Sequence, residues 1–325
     1  MSDGIVTQDK NHIVSPDLRT LVIGGAGFIG AHLVHALLKT GRSVTILDKN
    51  DGSLSSLPYE VSRVTGDFGE PGLIRELLRS HEEVIHLAYA TVPNVSFENP
   101  LADLLENLPP TLQLFAEAAA MKRKVLFVSS GGTVYGEARR LPIREDHPTK
   151  PISPYGVTKL TLENYAHLFG ATQGLQYTCV RPANAFGPGQ KPFTGQGFIA
   201  TALASVLCGD RIRIFGGRGT VRDYIYVSDL AQGIVSVLVR GHIGRIYNIG
   251  SGVGRSNMDV IEAAAHFIDE LNGSINVDHL PDRPFDVKVN VLDATTLRNH
   301  TGWRPQVDFN EGLARTWSWL REQYG

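Results

Sequence analysis

Glycines at positions 24, 27 and 30, within Leu21-Val22-Ile23-Gly24-Gly25-Ala26-Gly27-Phe28-Ile29-Gly30, constrain this chain more than any other stretch. Three apolar residues suit a short buried strand, and the glycines suit the turn from that strand into a helix. Gly24 permits the tight turn, Gly27 lets phosphates approach the backbone, and Gly30 lets the helix lie close on the strand. The free N–H groups and the positive dipole end of the helix then face an anion. The expectation is a dinucleotide site at the start of a doubly wound parallel α/β sheet, the Rossmann arrangement.

The residues that follow extend the pattern. Phe28, Ile29, Leu33, Val34, Leu37 and Leu38 recur at helical spacing up to Gly41, and 43–47 reads as a second strand. Asp48 comes directly after it, where a carboxylate accepts hydrogen bonds from the adenine-ribose hydroxyls. The same charge repels a 2′-phosphate, which favours NAD over NADP. Further strands are expected at 61–64, 84–88, 124–128 and 176–180. His86 lies inside one of these apolar strands and reads as a packed core residue. Residues 101–121 read as a helix that Pro109-Pro110 bends or ends in its first segment. The fifth strand runs into Ser129-Ser130-Gly131-Gly132-Thr133-Val134-Tyr135-Gly136, a hydroxyl-rich turn at the strand end where open α/β sheets place their chemistry.

Bulk properties exclude several classes. A formal charge of -2 supplies no general attraction to nucleic acid or to a membrane. No apolar run reaches the roughly 18 residues of a membrane span, and residues 1–17 read as a flexible extension without a signal segment. Cys179 and Cys208 lack metal-ligand spacing, so no metal is expected. They read as reduced thiols, in keeping with the cytoplasm.

Pro154-Tyr155-Gly156-Val157-Thr158-Lys159 opens a helix expected to run to Gly170. Tyr155 and Lys159, four apart, share one helix face. A neighbouring ammonium favours an ionised phenol and moves it toward neutrality. Such a tyrosinate takes a proton from a substrate hydroxyl while the carbinol carbon gives hydride to nicotinamide. The pair alone is a weak motif; its order after the glycine loop, the acidic strand end and the hydroxyl turn makes it specific.

Taken together, these segments resemble the extended short-chain dehydrogenase/reductases, in the nucleotide-sugar epimerase/dehydratase branch. Gly66-Asp67, His86-Leu87-Ala88, Arg181-Pro182-Ala183-Asn184-Ala185-Phe186-Gly187-Pro188-Gly189 and Arg222-Asp223-Tyr224-Ile225-Tyr226-Val227-Ser228-Asp229 carry the resemblance further, over about 20–320. It implies NAD contacts from Gly24, Gly27, Phe28, Ile29, Gly30, Asp48, Asp67, Phe68, Leu87 and Ala88, with Asp67 at the adenine. Tyr155 is then the base and Lys159 the holder of the nicotinamide ribose. Asn184 touches the sugar diphosphate, Arg222 and Arg283 bind the phosphates, and Asp286 closes on the nucleoside. Asn290 falls where side-chain bulk limits the group at C2.

The resemblance further implies a cofactor domain of 18–180 plus about 224–250, and a smaller α/β part of 181–223 plus 251–325 that binds the nucleotide sugar. A short strand at 211–215, a return to the cofactor sheet by 227–239 and 246–249, and a helix at about 256–271 follow. Two apolar helices, near 101–121 and from 154, resemble those that pair in a homodimer.

One position departs from the pattern. Relatives carry Ser or Thr four residues before the tyrosine of the Val-Tyr-Gly turn, and here that position is Gly131. Ser130 and Thr133 are the nearest replacements, with Ser130 preferred. The turn also has Gly132-Thr133 where dehydratases of this branch carry an Asp-Glu pair and uronate decarboxylases a Glu. The expected activity is therefore 4-epimerisation of a UDP-hexose, UDP-N-acetylhexosamine or UDP-uronate through a transient 4-keto sugar. The alternatives are a reductase or dehydratase of the same fold, and a non-catalytic NAD-binding protein.

Overall fold

The computed structural model describes residues 18–50, 57–269, 275–283 and 286–324, except the side chains of residues 94, 266, 268 and 269. The expected extension at 1–17 and the end of the helix expected to reach 271 lie outside the described residues.

A seven-stranded parallel sheet forms the larger part. Its strands are β1 (Arg19–Ile23), β2 (Ser43–Asp48), β3 (Ser62–Thr65), β4 (Glu83–His86), β5 (Lys124–Val128), β6 (Gln176–Pro182) and β10 (Ile246–Ile249). Their order is β10-β6-β5-β4-β1-β2-β3. The chain winds outward from β1 in one direction and then from β4 in the other, so the carboxyl ends of β1 and β4 flank a switch point. Successive side chains of β1 show why both faces are covered. Val22 enters the core shared with Leu33, Val34 and Leu37, while Leu21 and Ile23 enter the opposite core with Leu114 and Phe115. Helices α1 (Phe28–Leu38) and α7 (Val227–Arg240) pack on the first face. On the other lie α2 (Pro71–Ser80), α4 (Pro100–Ala120) and α5 (Pro154–Gln173).

The second part is built around β9 (Val221–Tyr226), which pairs with β7 (Asn184–Phe186), β11 (Gly254–Ser256) and β13 (Val289–Asn290). Helices α6 (Phe198–Leu207), α8 (Asn257–Asp269) and α10 (Phe309–Tyr324) close a core of Phe186, Tyr224, Tyr226, Phe309 and Trp317 over it, and the short α9 (Thr295–Thr301) packs on α7. A parallel pair, β8 (Ile212–Phe215) with β12 (Val277–Leu280), borders α6. Two buried carboxylates bolt the parts together by accepting backbone N–H groups: Asp223 from Ser251, Gly252 and Leu292, and Asp229 from Gln306 and Val307.

The approximate boundary at 224 is sharpened: residues 224–226 belong to β9 in the smaller sheet, and α7 starts at Val227, where the returning segment 227–239 is expected. Two expectations need correction. Of the bend or end expected at Pro109 and Pro110, the end does not occur: α4 continues to Ala120, because its packing against α2 and α5 outweighs the lost hydrogen bonds. Helix α5 passes Gly170 and ends at left-handed Gly174; Gly170 is instead where Tyr177 approaches, 2.9 Å from the position of an added Cβ.

Candidate active site

The switch point opens into a cleft of about 1590 Å³ that reaches from the glycine loop to β8 and β9. That exceeds the volume of a pocket for one small molecule and suits two nucleotides end to end. No group of side chains among the described residues is arranged to hold a metal.

At one end the three glycines have different reasons to lack a side chain. A Cβ on Gly24, which has φ +85°, would lie 2.6 Å from the Ala88 nitrogen, and one on Gly30 would lie 2.6 Å from the Gly24 and Gly25 oxygens. The fold itself forbids both. A Cβ on Gly27 would meet only the Gly24 oxygen, at 3.5 Å, and would otherwise project into the cleft. The fold itself leaves room there, enough for a pyrophosphate to rest on the loop. Asp48 lines the cleft and accepts the Ala26 N–H at 3.0 Å, tying β2 to the loop. Phe28, Ile29, Phe68, Leu87 and Ala88 line the same end. Asp67 does not: its carboxylate turns to Lys49 at 2.9 Å and to the Gly69 N–H, leaving Gly66 and Phe68 on the wall.

Farther along, Ser153 caps α5 by accepting the Gly156 N–H at 3.1 Å, and Ser96 of α3 (Pro93–Glu98) accepts the Tyr155 N–H at 3.2 Å. These bonds aim Tyr155 into the cleft. Ser130 lines the cleft beside Tyr155 and favours the ionised phenol, against burial. One turn on, Lys159 is buried, donates to the Val128 carbonyl at 2.9 Å and sits 4.0 Å from the centre of the Tyr89 ring. Its ammonium lies 5.7 Å from the Tyr155 ring centre. The expected lowering of the tyrosine pKa is absent in the protein alone. Burial pushes Tyr155 up, and burial pushes Lys159 down to about 7, which weakens the charge meant to act on it.

The hydroxyl turn also departs from expectation. Gly131 is off the cleft wall, and a Cβ there would lie 2.5 Å from Leu292 and 3.0 Å from the Arg181 and Pro182 oxygens. A side chain at this position would face the end of β6, whereas Ser130 lines the cleft beside Tyr155. Thr133 lines the cleft with its buried hydroxyl unpartnered. Behind the turn, Ser129 bonds Glu163, Glu163 pairs with Arg181 at 2.5 Å, and Arg181 donates to Tyr135. Asn290 is buried off the wall and donates to the Gly131 carbonyl at 2.9 Å, bracing the turn from outside.

At the far end Arg222, on β9, donates to the Val221 carbonyl, and burial pushes its pKa down against the pull of Asp286 and Glu137. A cation held this way favours an anionic ligand. Arg283 stacks over Phe215 at 3.4 Å from the ring centre. Arg283, Asp286 and Asn184 all line the cleft.

Sequence reasoning missed a polar stripe beneath Tyr89. Asp103, Asn107 and Thr111 are buried at four-residue spacing on α4. Asp103 accepts hydroxyl protons from Thr158 at 2.7 Å, from Thr91 and from Tyr89. Asn107 accepts the Ala90 N–H at 2.8 Å. Thr111 donates to the Asn107 carbonyl and therefore accepts from His86 Nε2 at 3.0 Å, which leaves His86 a neutral core residue with its pKa pushed down to about 3 by burial. The signal was available, since three polar residues spaced i, i+4, i+8 in an apolar helix mark one buried face.

Residues 20–250 match the family model of the NAD dependent epimerase/dehydratase family. The chain belongs to the NAD-dependent epimerase/dehydratase family. It is 34% identical over 315 residues to a UDP-glucose 4-epimerase of Mycolicibacterium smegmatis, covering 94% of this chain and 99% of that one. It is 31% identical over 319 residues to a dTDP-glucose 4,6-dehydratase of Streptomyces niveus, covering 94% and 93%. The crystal structure of a Thermotoga maritima UDP-glucose 4-epimerase with UDP-glucose superposes with TM-score 0.88 at 31% identity, covering 95% of this chain and all of that one. Family membership, with these relatives, makes this an NAD-dependent nucleotide-sugar enzyme.

Proposed function

We propose that the chain is a nucleotide-sugar 4-epimerase acting on a UDP-linked hexose. The observation that carries this reading is the acid-free wall around Tyr155. The carboxylates that line the cleft among the described residues are Asp48, Glu106, Asp210, Asp278 and Asp286, and none belongs to the hydroxyl turn or the start of α5. Eliminating water across C5 and C6 of a hexose needs a base at C5 and an acid at the 6-hydroxyl. Epimerisation at C4 needs neither.

Bound NAD supplies hydride transfer. In this reading the glycine loop and Asp48 hold its pyrophosphate and adenine ribose, and Lys159 its nicotinamide ribose. Tyr155 takes the proton of the sugar 4-hydroxyl and returns it, while Ser130 donates to the phenolic oxygen. Arg222 and Arg283 grip the diphosphate, which leaves the sugar free to present either face to Tyr155. Asn184 and Asp286 complete the substrate contacts, and Asp67 and Asn290 act as supports of the adenine loop and the hydroxyl turn.

The test is to incubate the purified protein with UDP-glucose and UDP-N-acetylglucosamine, adding no cofactor, and to follow the sugar by NMR. The 4-epimer is expected. Formation of a 4-keto-6-deoxy sugar, or turnover that requires added NADPH, would refute the epimerase reading.

The unpaired apolar residues of α4 and α5 support a homodimer, with a second copy of the same face as the occupant. No helix among the described residues is long and apolar enough to cross a membrane. Two free thiols, Cys179 and Cys208, support a cytoplasmic setting.

A further inference from the structure

The stretch of cleft that surrounds Tyr155 has an unusual lining. Its boundaries follow from contacts already described: Tyr89 lies edge-on to Tyr155 at 4.7 Å, and Ser96 holds the Tyr155 backbone. A Cβ on Gly195 would lie 3.7 Å from Val92, so the loop after Gly189 crosses to the 89–97 segment. Val92, Phe97, Ile152 and Phe193 line this compartment. Phe97, Ile152 and Phe193 come from three separate segments yet remain 40%, 39% and 54% exposed. Apolar surface inside a cleft favours a ligand whose apolar part covers it.

The polar groups point the same way. Tyr89 and Thr91 donate their hydroxyl protons to Asp103, and Gln190 donates its Nε2 to the Ala185 carbonyl at 3.1 Å. Gln190 Oε1 is buried with no donor. The Tyr89 and Thr91 hydroxyls are therefore engaged with the protein rather than turned to a ligand, while the Thr133 hydroxyl of the same cleft is left without a partner. Lys159 is the one cation on this stretch of wall among the described residues, and it is held by the Val128 carbonyl and the Tyr89 ring. Lys191, in the crossing loop, is exposed and off the wall. A carboxylate at C6 would lose its hydration and gain no counter-ion, with the buried charge of Asp103 nearby.

We propose that this compartment selects an uncharged hexose bearing an apolar substituent, an N-acyl or 6-deoxy group, and rejects uronates. The selectivity rests on the epimerase reading and deepens it. It is tested by kcat/KM and by calorimetric binding for four UDP-sugars: N-acetylglucosamine, 6-deoxyglucose, glucose and glucuronate. Glucuronate is expected at least tenfold below glucose. At least one apolar-bearing sugar is expected about tenfold above glucose, as one added methyl in an apolar pocket gives. Glucuronate within tenfold of glucose, or glucose equal to or better than both apolar-bearing sugars, overturns the proposal. If no sugar is turned over, the epimerase reading fails by itself, and the same order in binding still decides the selectivity. Phe193→Arg sets a cation on the wall and is expected to narrow the glucuronate penalty severalfold. An unchanged penalty in a folded Phe193→Arg protein removes Phe193 from the sugar's reach and overturns the assignment of this wall.

Discussion

Ser130 and Gly131 are adjacent, yet the backbone sends one toward Tyr155 and the other against the end of β6. Burial pushes the Tyr155 phenol up, Ser130 opposes this by favouring the ionised form, and Asp103 adds to it. Ser130→Ala therefore raises the tyrosine pKa. Because the reaction uses the ionised form, the acid limb of the kcat/KM profile is expected to move to higher pH. A charge-assisted hydrogen bond of ~1.5–3 kcal/mol corresponds to about 1–2 pH units, read from initial rates across pH. An unmoved limb would mean that Ser130 does not act on Tyr155. Gly131→Ser, by contrast, forces a side chain between Leu292 and two carbonyls. Denaturant unfolding should show a loss of about 1–3 kcal/mol, and adding it to Ser130→Ala should recover no rate.

Among the elements, what was legible in the sequence were those whose residues speak locally. The glycine loop, the Asp48 strand end and the Tyr155 helix stand where their spacing put them. What escaped depended on neighbours. Pro109 and Pro110 break a helix by local rules, but α4 is held between α2 and α5 and continues. The polar stripe of Asp103, Asn107 and Thr111 gains its meaning from the 86–91 segment, brought to it by the sheet rather than by the chain. The position of Gly131 likewise needed the β6 carbonyls. A second long-range device joins α5, β6 and the hydroxyl turn through Ser129, Glu163, Arg181 and Tyr135. Replacing Arg181 by Met leaves the Glu163 charge buried without its partner. Unfolding in urea should show a loss of about 3–5 kcal/mol, and a loss below ~1 kcal/mol would mean that water or another donor rescues Glu163. The double replacement Arg181→Met with Glu163→Leu should recover much of the stability, since removing both charges ends the desolvation cost.

Across the whole molecule, most large apolar side chains are divided among the cores on the two faces of the main sheet and the core over β9. A row on α4 and α5 is not. Leu101, Leu104 and Leu105 on α4 are exposed by 64%, 40% and 54%, and Val157 and Leu168 on α5 by 50% and 48%. Val157 and Leu168 stand eleven residues apart, three helical turns along one face, and α4 packs against α5. In the proposed homodimer, two such faces would meet about a two-fold axis as four packed helices without an open edge. The cleft mouth residue Phe97 sits on α3, next to this surface, so pairing would also steady the wall beside Tyr155. Leu101→Glu with Leu105→Glu puts two charges on each copy of that face. Sedimentation should then show half the mass of the unmodified protein, with the circular dichroism of a folded chain. Val253→Glu, at an apolar residue 49% exposed and outside these helices, should leave the mass unchanged. If the double variant keeps the unmodified mass, the α4–α5 face is not the contact between copies, and its exposed leucines must be covered by something else.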